Sequence, residues 1–202
     1  MIKSSELIAA SPPILVALGD VETKRLLLRR FVAEDVYLLA PIFAKEEVWR
    51  FPYSRGFSME ETRGFLENQI AAWDTLGYGL WLAIEGTSQQ AIGFVGLSVP
   101  TFLPEILPAV EVGWRFDPDF WGRGYATEAA EAALKEGFTT LGFDRICSVP
   151  QSDNPPSGKV CQRIGMTFER QVAIPANERR GALSADLYWM NGTDWRDRKT
   201  VS

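Results

Sequence analysis

The feature that most constrains the fold is a strand, a glycine turn and a helix in immediate succession, within residues 109–137 (AVEVGWRFDPDFWGRGYATEAAEAALKEG). Apolar side chains alternate over 110–116, which is typical of a strand. The turn carries Gly122 and Gly124, and the Ala/Glu/Leu-rich pattern after it predicts a helix over about 124–141. A turn of this kind presents bare backbone N–H groups to an anion. The segment therefore predicts a site for a phosphorylated ligand.

The other patterns place this unit in a mixed sheet of the α/β (α+β) class. Strands are predicted over 22–32, 79–85, 91–99, 109–117, 143–149, 167–174 and 183–191. Helices are predicted over 33–45, from the capping-box residue Ser58, over 124–141 and from about 154 to 164. The segments 49–53 and 102–108 are predicted as loops. Consecutive strands imply antiparallel pairing, whereas the strand–helix–strand run from 109 to 149 implies a parallel crossover.

Length and composition indicate one globular domain. A chain of 202 residues with 46% hydrophobic residues can bury a sizeable core. We expect a single domain over 21–198, preceded by an N-terminal arm, residues 1–20, that packs on it. The arm is broken by Pro12-Pro13 and has Lys3 as its one basic residue, which resembles a secretory signal poorly.

The cysteine and histidine contents narrow the compartment and the chemistry. Two cysteines make no disulfide framework, so a reducing, cytoplasmic location is expected, and no apolar run is long enough to predict a membrane span. The absence of histidine excludes Ser-His-Asp and Cys-His mechanisms and the common zinc hydrolase sites, and no metal site is predicted. The net charge of −5 argues against a direct nucleic-acid partner and is compatible with a cationic acceptor such as an amine.

Two familiar phosphate loops fit the glycine turn poorly. A Rossmann fingerprint needs a third glycine where this chain has Thr127, and it belongs after the first strand of the fold. A Walker loop needs a Gly-Lys-Ser/Thr ending, which is missing.

A third interpretation fits nearly the whole chain. Residues 121–129 (WGRGYATEA) closely resemble the acetyl-CoA pyrophosphate loop of the GNAT acetyltransferases, specifically their RimJ/RimL-like branch. Further segments match in order: 23–29 (TKRLLLR), 111–114 (EVGW), and Asn154-x-x-Ser157 followed by 163–166 (RIGM). The resemblance spans about 22–190. It implies the GNAT fold, a central, mostly antiparallel sheet with a parallel splayed pair and about four flanking helices, and it implies acetyl-CoA as the cofactor.

The resemblance also implies which residues hold acetyl-CoA. Backbone N–H groups of the glycine turn would face the pyrophosphate, aided by the helix dipole, and the pantetheine arm would pair with the splayed strand. A backbone N–H near Trp114 or Arg115 would polarise the thioester carbonyl, and Asn154 would bind a pantetheine amide. The predicted cofactor-binding residues are Val112, Gly113, Trp114, Arg115, Phe116, Gly122, Arg123, Gly124, Tyr125, Ala126, Thr127, Asn154 and Ser157.

Glu111 and Ser157 are the catalytic candidates. Without histidine, a glutamate acting through water is the natural base, and Glu111 lies in the splayed strand, where apolar surroundings would raise its pKa. The alternative is a salt-bridged structural glutamate, and Glu46, Glu47 and Glu178 are weaker candidates. Many GNAT enzymes protonate the departing thiolate with a tyrosine at the position of Cys161, so Ser157 is expected to serve instead, or else to cap a helix. A buried, inert thiol is the expectation for Cys161.

The acceptor side is defined by aromatic residues. Trp49, Phe51, Tyr53 and Trp81 are expected to line a pocket that suits an apolar or cationic acceptor, with a core position as the alternative for Trp81. The predicted activity is acetyl-CoA-dependent N-acetyl transfer by direct attack of a primary amine on the thioester. The resemblance implies a protein N-terminal α-amine as acceptor, while polyamines, amino acids and antibiotics are alternatives. A non-catalytic acyl-CoA-binding sensor or scaffold is a further alternative, and the chain is expected to be a monomer or homodimer.

Overall fold

A computed structural model describes residues 18–200. In this part of the chain, eight strands form one sheet in the order β1-β2-β3-β4-β5-β6-β8-β7. The strands are β1 (Val21–Glu22), β2 (Leu26–Arg30), β3 (Leu80–Glu85), β4 (Ala91–Ser98), β5 (Glu111–Phe116), β6 (Arg145–Ser148), β7 (Thr167–Ile174) and β8 (Leu183–Asn191). The helices are α1 (Val36–Phe43), α2 (Glu46–Tyr53), α3 (Met59–Leu76), α4 (Tyr125–Lys135), α5 (Pro155–Arg163) and α6 (Gly192–Thr200).

The predicted mixed sheet is confirmed. Neighbouring strands are antiparallel except β5 and β6, which are parallel, as the strand–helix–strand run predicts. The β3–β4 hairpin forms where it was expected, across the polar turn at 86–90. Helix α3 begins at Ser58, whose hydroxyl accepts the backbone N–H of Glu61 in the predicted capping box, and it ends at Gly77 with φ of 74°.

Three local expectations are corrected. The predicted strand over 22–32 is divided into β1 and β2 by a turn at 23–25. Residues 49–53, expected as a loop, belong to α2, although Phe51 has non-helical φ and ψ before Pro52. Helix α6 was not predicted, and with it the described residues contain six α-helices rather than about four.

The core divides between the two faces of the sheet. On one face, α4 and α5 pack on Val112, Phe116 and Ile146. On the other face, α1, α2 and α3 enclose an aromatic cluster in which the Trp49 and Phe57 rings stack at 3.8 Å. None of the helices between residues 18 and 200 has the length and apolar character that a bilayer crossing requires.

The N-terminal arm lies outside the described residues except for its last three. Leu18 is buried, and the indole N–H of Trp81 donates to the Gly19 carbonyl at 3.2 Å. The packing expected for the arm stays a prediction for residues 1–17, because the structure describes only residues 18–20 of it.

Candidate active site

The sheet opens between β5 and β6. These strands pair at one position, where Glu111 lies opposite Cys147 and the Cys147 N–H donates to the Val110 carbonyl at 2.8 Å. Beyond it the strands diverge, as the resemblance implied. This opening is the splay of the sheet, and it leaves one edge of β5 without a strand partner in the described part of the chain.

Hydrogen-bond parity shows which backbone groups of β5 face the splay. The Asp117 N–H donates to the carbonyl of Ile92 in β4 at 2.8 Å. Every second residue of an antiparallel strand has the same orientation, so Arg115 and Gly113 also point their N–H and C=O groups at β4. The backbone groups of Val112 and Trp114 point the other way, toward β6. The Val112 N–H belongs to the single β5–β6 pairing, where it donates to the Cys147 carbonyl, so the Val112 carbonyl and both backbone groups of Trp114 face the splay. Backbone groups in such a place normally find a partner. Of the two N–H groups expected to contact the thioester, that of Trp114 faces the splay and that of Arg115 faces β4.

The glycine turn begins α4 with the expected left-handed backbone. Gly122 and Gly124 have φ of 74° and 81°, and Gly124 is the N-cap residue of the helix. The first N–H groups of α4, from residue 125 onward, have no acceptor within the helix. Arg123 is exposed, and no carboxylate of residues 18–198 lies within 4 Å of its guanidinium. This turn fits the pyrophosphate of acetyl-CoA, and the open edge of β5 fits its pantetheine arm.

The turn between β1 and β2 clamps this loop, an arrangement that the sequence analysis did not identify. The Glu128 carboxylate accepts hydrogen bonds from the Thr23 hydroxyl at 2.7 Å, the Arg25 N–H at 2.8 Å and the Arg25 Nε at 2.7 Å. Arg25 Nη1 also donates to the Arg123 carbonyl at 2.8 Å. Helix α4 and the glycine turn are thus tied to the edge of the sheet.

Two aromatic residues of the loop act outside the phosphate site. Tyr125 is buried, and its hydroxyl donates to Glu85 at 3.3 Å, so its side chain faces the core and its backbone remains for the cofactor. Trp121 is 53% exposed, with its indole N–H donating to the Phe116 carbonyl at 2.7 Å.

A cavity of about 350 Å³ adjoins the splay. It brings together Trp49, Phe51 and Tyr53 of α2, Glu111, Gly113, Trp114 and Arg115 of β5, and Asn154 and Ser157 of α5. The cavity has several further lining residues that no sequence motif indicates, which are Phe94, Ser98, Phe102, Gln151, Asn177 and Arg180. These lie on separate strands and loops that carry no motif, so tertiary folding alone brings them together.

Trp81 does not line this cavity. It is fully buried in the core on the α4 face, with its ring 5.2 Å from that of Trp73. In β3 alternate side chains point to opposite faces, and Trp81 points away from its neighbours Leu80 and Leu82, which join the aromatic cluster. The assignment of Trp81 to the acceptor pocket is corrected by its place in the core.

Glu111 is half-buried in the wall of the cavity. Burial raises the pKa of its carboxyl to about 7, while a backbone hydrogen bond from Val149 and the charge of Arg115 lower this pKa. No salt bridge within 4 Å involves Glu111 in the described part of the chain. A carboxylate in these surroundings can take a proton near neutral pH. The weaker candidates Glu46, Glu47 and Glu178 are exposed and do not line the cavity.

Helix α5 brings the third set of groups to the cavity. Asn154 is its N-cap residue, and Asn154 Oδ1 accepts the Ser157 N–H at 3.4 Å. Cys161 is fully buried, and burial raises the pKa of its thiol to about 12, as expected of an inert cysteine. Ser157 therefore lines the cavity, whereas Cys161 does not.

The comparisons with known proteins agree with this geometry. Residues 25–167 match the family model of the acetyltransferase (GNAT) domain. The uncharacterized N-acetyltransferase YnaD of Bacillus subtilis strain 168 is 30% identical over 149 residues, which cover 74% of this chain and 83% of YnaD. A GNAT-family acetyltransferase structure from Bacillus anthracis aligns with a TM-score of 0.71 at 25% identity, covering 86% of this chain and 99% of that one.

A further solved structure is that of RimL, described as a ribosomal L7/L12 alpha-N-protein acetyltransferase in complex with coenzyme A. It aligns with a TM-score of 0.68 at 18% identity, covering 86% of this chain and 98% of that one, a likeness that concerns the fold. Together with the family match over residues 25–167, the site geometry leads to one assignment. The chain belongs to the GNAT acetyltransferases, enzymes that transfer an acetyl group from acetyl-CoA to an amine.

Proposed function

We propose that Glu111 is the general base for direct attack of an α-amine on the thioester. The observation that carries the proposal is a half-buried carboxylate, with a pKa of about 7, in the cavity wall beside the open edge of β5. Acetyl-CoA, when bound, supplies the activated acetyl group. All acid–base work then falls to the side chains and backbone of this chain.

The backbone groups of β5 and α4 would hold the donor. The N–H groups at the start of α4 would bind the pyrophosphate, and the Val112 carbonyl and the Trp114 backbone groups would pair with the pantetheine arm. The Trp114 N–H would also polarise the thioester carbonyl, because a fixed dipole acts strongly where water is excluded.

The pKa of Glu111 favours an α-amine over a lysine-like amine. An α-amino group has a pKa of about 8, about 1 unit above that of Glu111, whereas a lysine ammonium has a pKa of about 10.4. Proton transfer to Glu111, directly or through one water, therefore costs much less free energy from an α-ammonium than from a lysine ammonium. We propose an α-amine as the acceptor group, as in a protein N-terminus or an amino acid.

The space beside the first cavity is compatible with an acceptor molecule that extends beyond its amino group. A second cavity of about 340 Å³ shares Phe51, Pro52, Gln151 and Leu183 with the first. It lies between α2 and the loop that joins β7 to β8. An acceptor that entered here would reach Glu111 past the aromatic side chains of α2.

Ser157 is proposed to protonate or hold the departing thiolate. Its side chain lines the cavity, whereas the thiol of Cys161 is buried. We expect Ser157→Ala to lower kcat by about 10²-fold, the low end of what proton transfer contributes, with the KM for acetyl-CoA changed by less than threefold. Single-turnover and steady-state thiol release test this. An unchanged kcat would leave Ser157 as a helix residue only.

Thiol release against a panel of peptide N-termini, amino acids, polyamines and aminoglycosides tests the activity. We expect Glu111→Gln to lower kcat/KM for the best amine about 10²–10⁴-fold and to abolish its rise with pH near 7. Glu178→Gln, which changes an exposed glutamate outside the cavity, is the matched control and should behave as the parent enzyme. A Glu111→Gln enzyme within threefold of the parent at every pH would refute the assignment of the base.

A further inference from the structure

Arg115 is a cation without a carboxylate partner in the wall of the acceptor cavity. Its Nη1 donates to the Val48 carbonyl at 2.6 Å, and its guanidinium carbon lies 4.2 Å from the centre of the Trp49 ring. No carboxylate oxygen of residues 18–198 lies within 4 Å of it. A desolvated guanidinium is costly unless an anion pairs with it. The Val48 carbonyl satisfies one donor, and a guanidinium has five.

Nothing else in the cavity supplies that anion. Glu111 lies four residues away on the same face of β5 and acts on Arg115 through its charge, but its own raised pKa leaves it partly protonated near pH 7. Tyr53 is the other neighbour that acts on Arg115 electrostatically. Glu111 is therefore not a full counter-charge near pH 7.

The same wall contains a second donor, the indole N–H of Trp49. The indole N–H of Trp49 is buried and makes no hydrogen bond within the described residues. Trp49 lines the cavity and carries the Arg115 guanidinium on its face. Buried N–H groups are rarely left unpaired, so the Trp49 N–H is a second unsatisfied donor beside Arg115.

The charges around the cavities are positive on balance, although the chain carries a net charge of −5. Arg115 and Arg180 line the first cavity and Arg50 lines the second, against the carboxyl groups of Glu111 and Asp153. A simple polycation would meet three arginines there. The local charge therefore differs from what the net charge of the whole chain suggests.

We propose that the acceptor carries a carboxylate in addition to its amine, and that Arg115 binds this carboxylate while the amine lies toward Glu111. The inference rests on the proposed function. It defines the substrate as a zwitterion with an apolar or aromatic body, such as a free amino acid or a short peptide with an acidic group. Arg115 is then a specificity-determining residue, with Arg180 as a second cation at the cavity.

Matched acceptors test the carboxylate without any mutation. Thiol release is compared for phenylalanine, phenylalaninamide and phenethylamine, for leucine and leucinamide, and for dipeptides with a free or an amidated C-terminus. We expect kcat/KM to be at least about tenfold higher for the carboxylates, as for other charge-assisted pairs. The amino acids and the dipeptides distinguish the two sources of the carboxylate. Equal rates for the acids and their amides would overturn the inference.

Arg115→Gln tests the residue. In this variant the ratio of kcat/KM for an acid to kcat/KM for its amide is expected to fall below threefold. The value for the amides should change less than the value for the acids. Arg115→Lys should restore part of it, since a lysine keeps the charge but loses the planar fork. Arg145→Gln is the matched control, because Arg145 also lies over a tryptophan, Trp189, at 3.7 Å, but outside the cavity. Survival of the full preference in Arg115→Gln would refute the assignment.

Two readouts keep failure of the inference separate from failure of the proposed function. Absence of thiol release on every amine refutes the function, whereas release without a carboxylate preference refutes the inference alone. A thermal shift with coenzyme A verifies that Arg115→Gln is folded. If that variant does not fold, the comparison of acids with amides on the parent enzyme still decides the question.

Discussion

The raised pKa of Glu111, which suits its proposed role as a base, lowers the stability of the fold above pH 7. Its carboxyl has a pKa of about 7 in the folded protein against 4.5 as its ordinary value, because burial disfavours the charge. A raised carboxyl pKa means that the folded state binds the proton more tightly than the unfolded state. The resulting stabilisation is present below pH 4.5 and is lost as the pH rises through 7.

Glu111→Gln should therefore stabilise the fold at high pH. At pH 8 we expect the free energy of unfolding to rise by about 1–3 kcal/mol, allowing for the partial exposure of the carboxyl, and Tm by several degrees. At pH 4.5 the two proteins should unfold within about 1 °C of each other. Thermal unfolding of Glu111→Gln and Glu178→Gln at both pH values provides the measurement. An equal gain at the two pH values would show that the charge of Glu111 is not its cause.

Gly113 leaves open space between β5 and the cavity. A Cβ atom built at Gly113 would meet no protein atom within 4 Å and would project into the cavity. We expect Gly113→Ala to fold with an unchanged Tm and to raise the acceptor KM about tenfold or more, because the methyl group occupies acceptor space.

Two other glycines provide the contrast. Gly64→Ala in α3 also meets nothing within 4 Å, lies outside the cavity, and should keep full activity while gaining about 0.5–1 kcal/mol. At Gly96 a Cβ would lie 2.4 Å from the Gly79 carbonyl oxygen, so Gly96→Ala should unfold the hairpin. An unaltered KM in Gly113→Ala would place the acceptor elsewhere.

At the scale of elements, the turn between β1 and β2 orders the glycine turn. Glu128 joins Arg25 and Thr23 to the first turn of α4, and Arg25 also binds the Arg123 carbonyl. Arg25→Ala should raise the KM for acetyl-CoA about five- to tenfold, since one or two hydrogen bonds that order the loop are lost, with kcat changed by less than threefold. Initial-rate kinetics at saturating amine measure this. Arg170→Gln, which breaks the exposed pair with Glu105, is the control, and equal KM values in the two variants would contradict the clamp.

Elements whose signals are local could be predicted from the sequence, and the others could not. The β3–β4 hairpin and α3 follow from alternation, a turn and a capping box. Helix α2 was missed because Pro52 and the non-helical Phe51 interrupt its pattern, and α6 because GTDWRDRKT has no apolar periodicity.

The two halves of the site differ in the same way. The glycine turn lies within one short segment, so its pattern indicated a phosphate site directly. Arg115 of β5 and Arg180 of the loop between β7 and β8 line the same cavity, and no local sequence pattern predicts that they come together. Trp81 was misassigned because aromatic content does not reveal which face of a strand a side chain occupies.

The whole molecule consists of two parts of one sheet that meet at the splay. Strands β1–β5 with α1–α3 form one part and β6–β8 the other, and between β5 and β6 the pairing is limited to Glu111 and Cys147. A ligand held by the edge of β5 and by α5 bridges the two parts. At 100 times its Kd, coenzyme A should add about 2.7 kcal/mol to the free energy of unfolding, which is about 5–10 °C in Tm.

Amide hydrogen exchange tests whether that stabilisation comes from the splay. The parity of β5 predicts that in the free protein the Trp114 N–H, which faces the splay, exchanges faster than the N–H groups of Gly113 and Arg115, which are bonded to β4, and of Val112, which is bonded to β6. Coenzyme A should slow exchange at Trp114 by a larger factor than at the other three amides, because a local pairing adds to the global stabilisation. Residue-resolved NMR exchange measures all four amides in one experiment, and the β3–β4 hairpin amides report the global factor. Uniform slowing across β5 would mean that coenzyme A is held by the glycine turn alone, and that the edge of β5 does not pair with it.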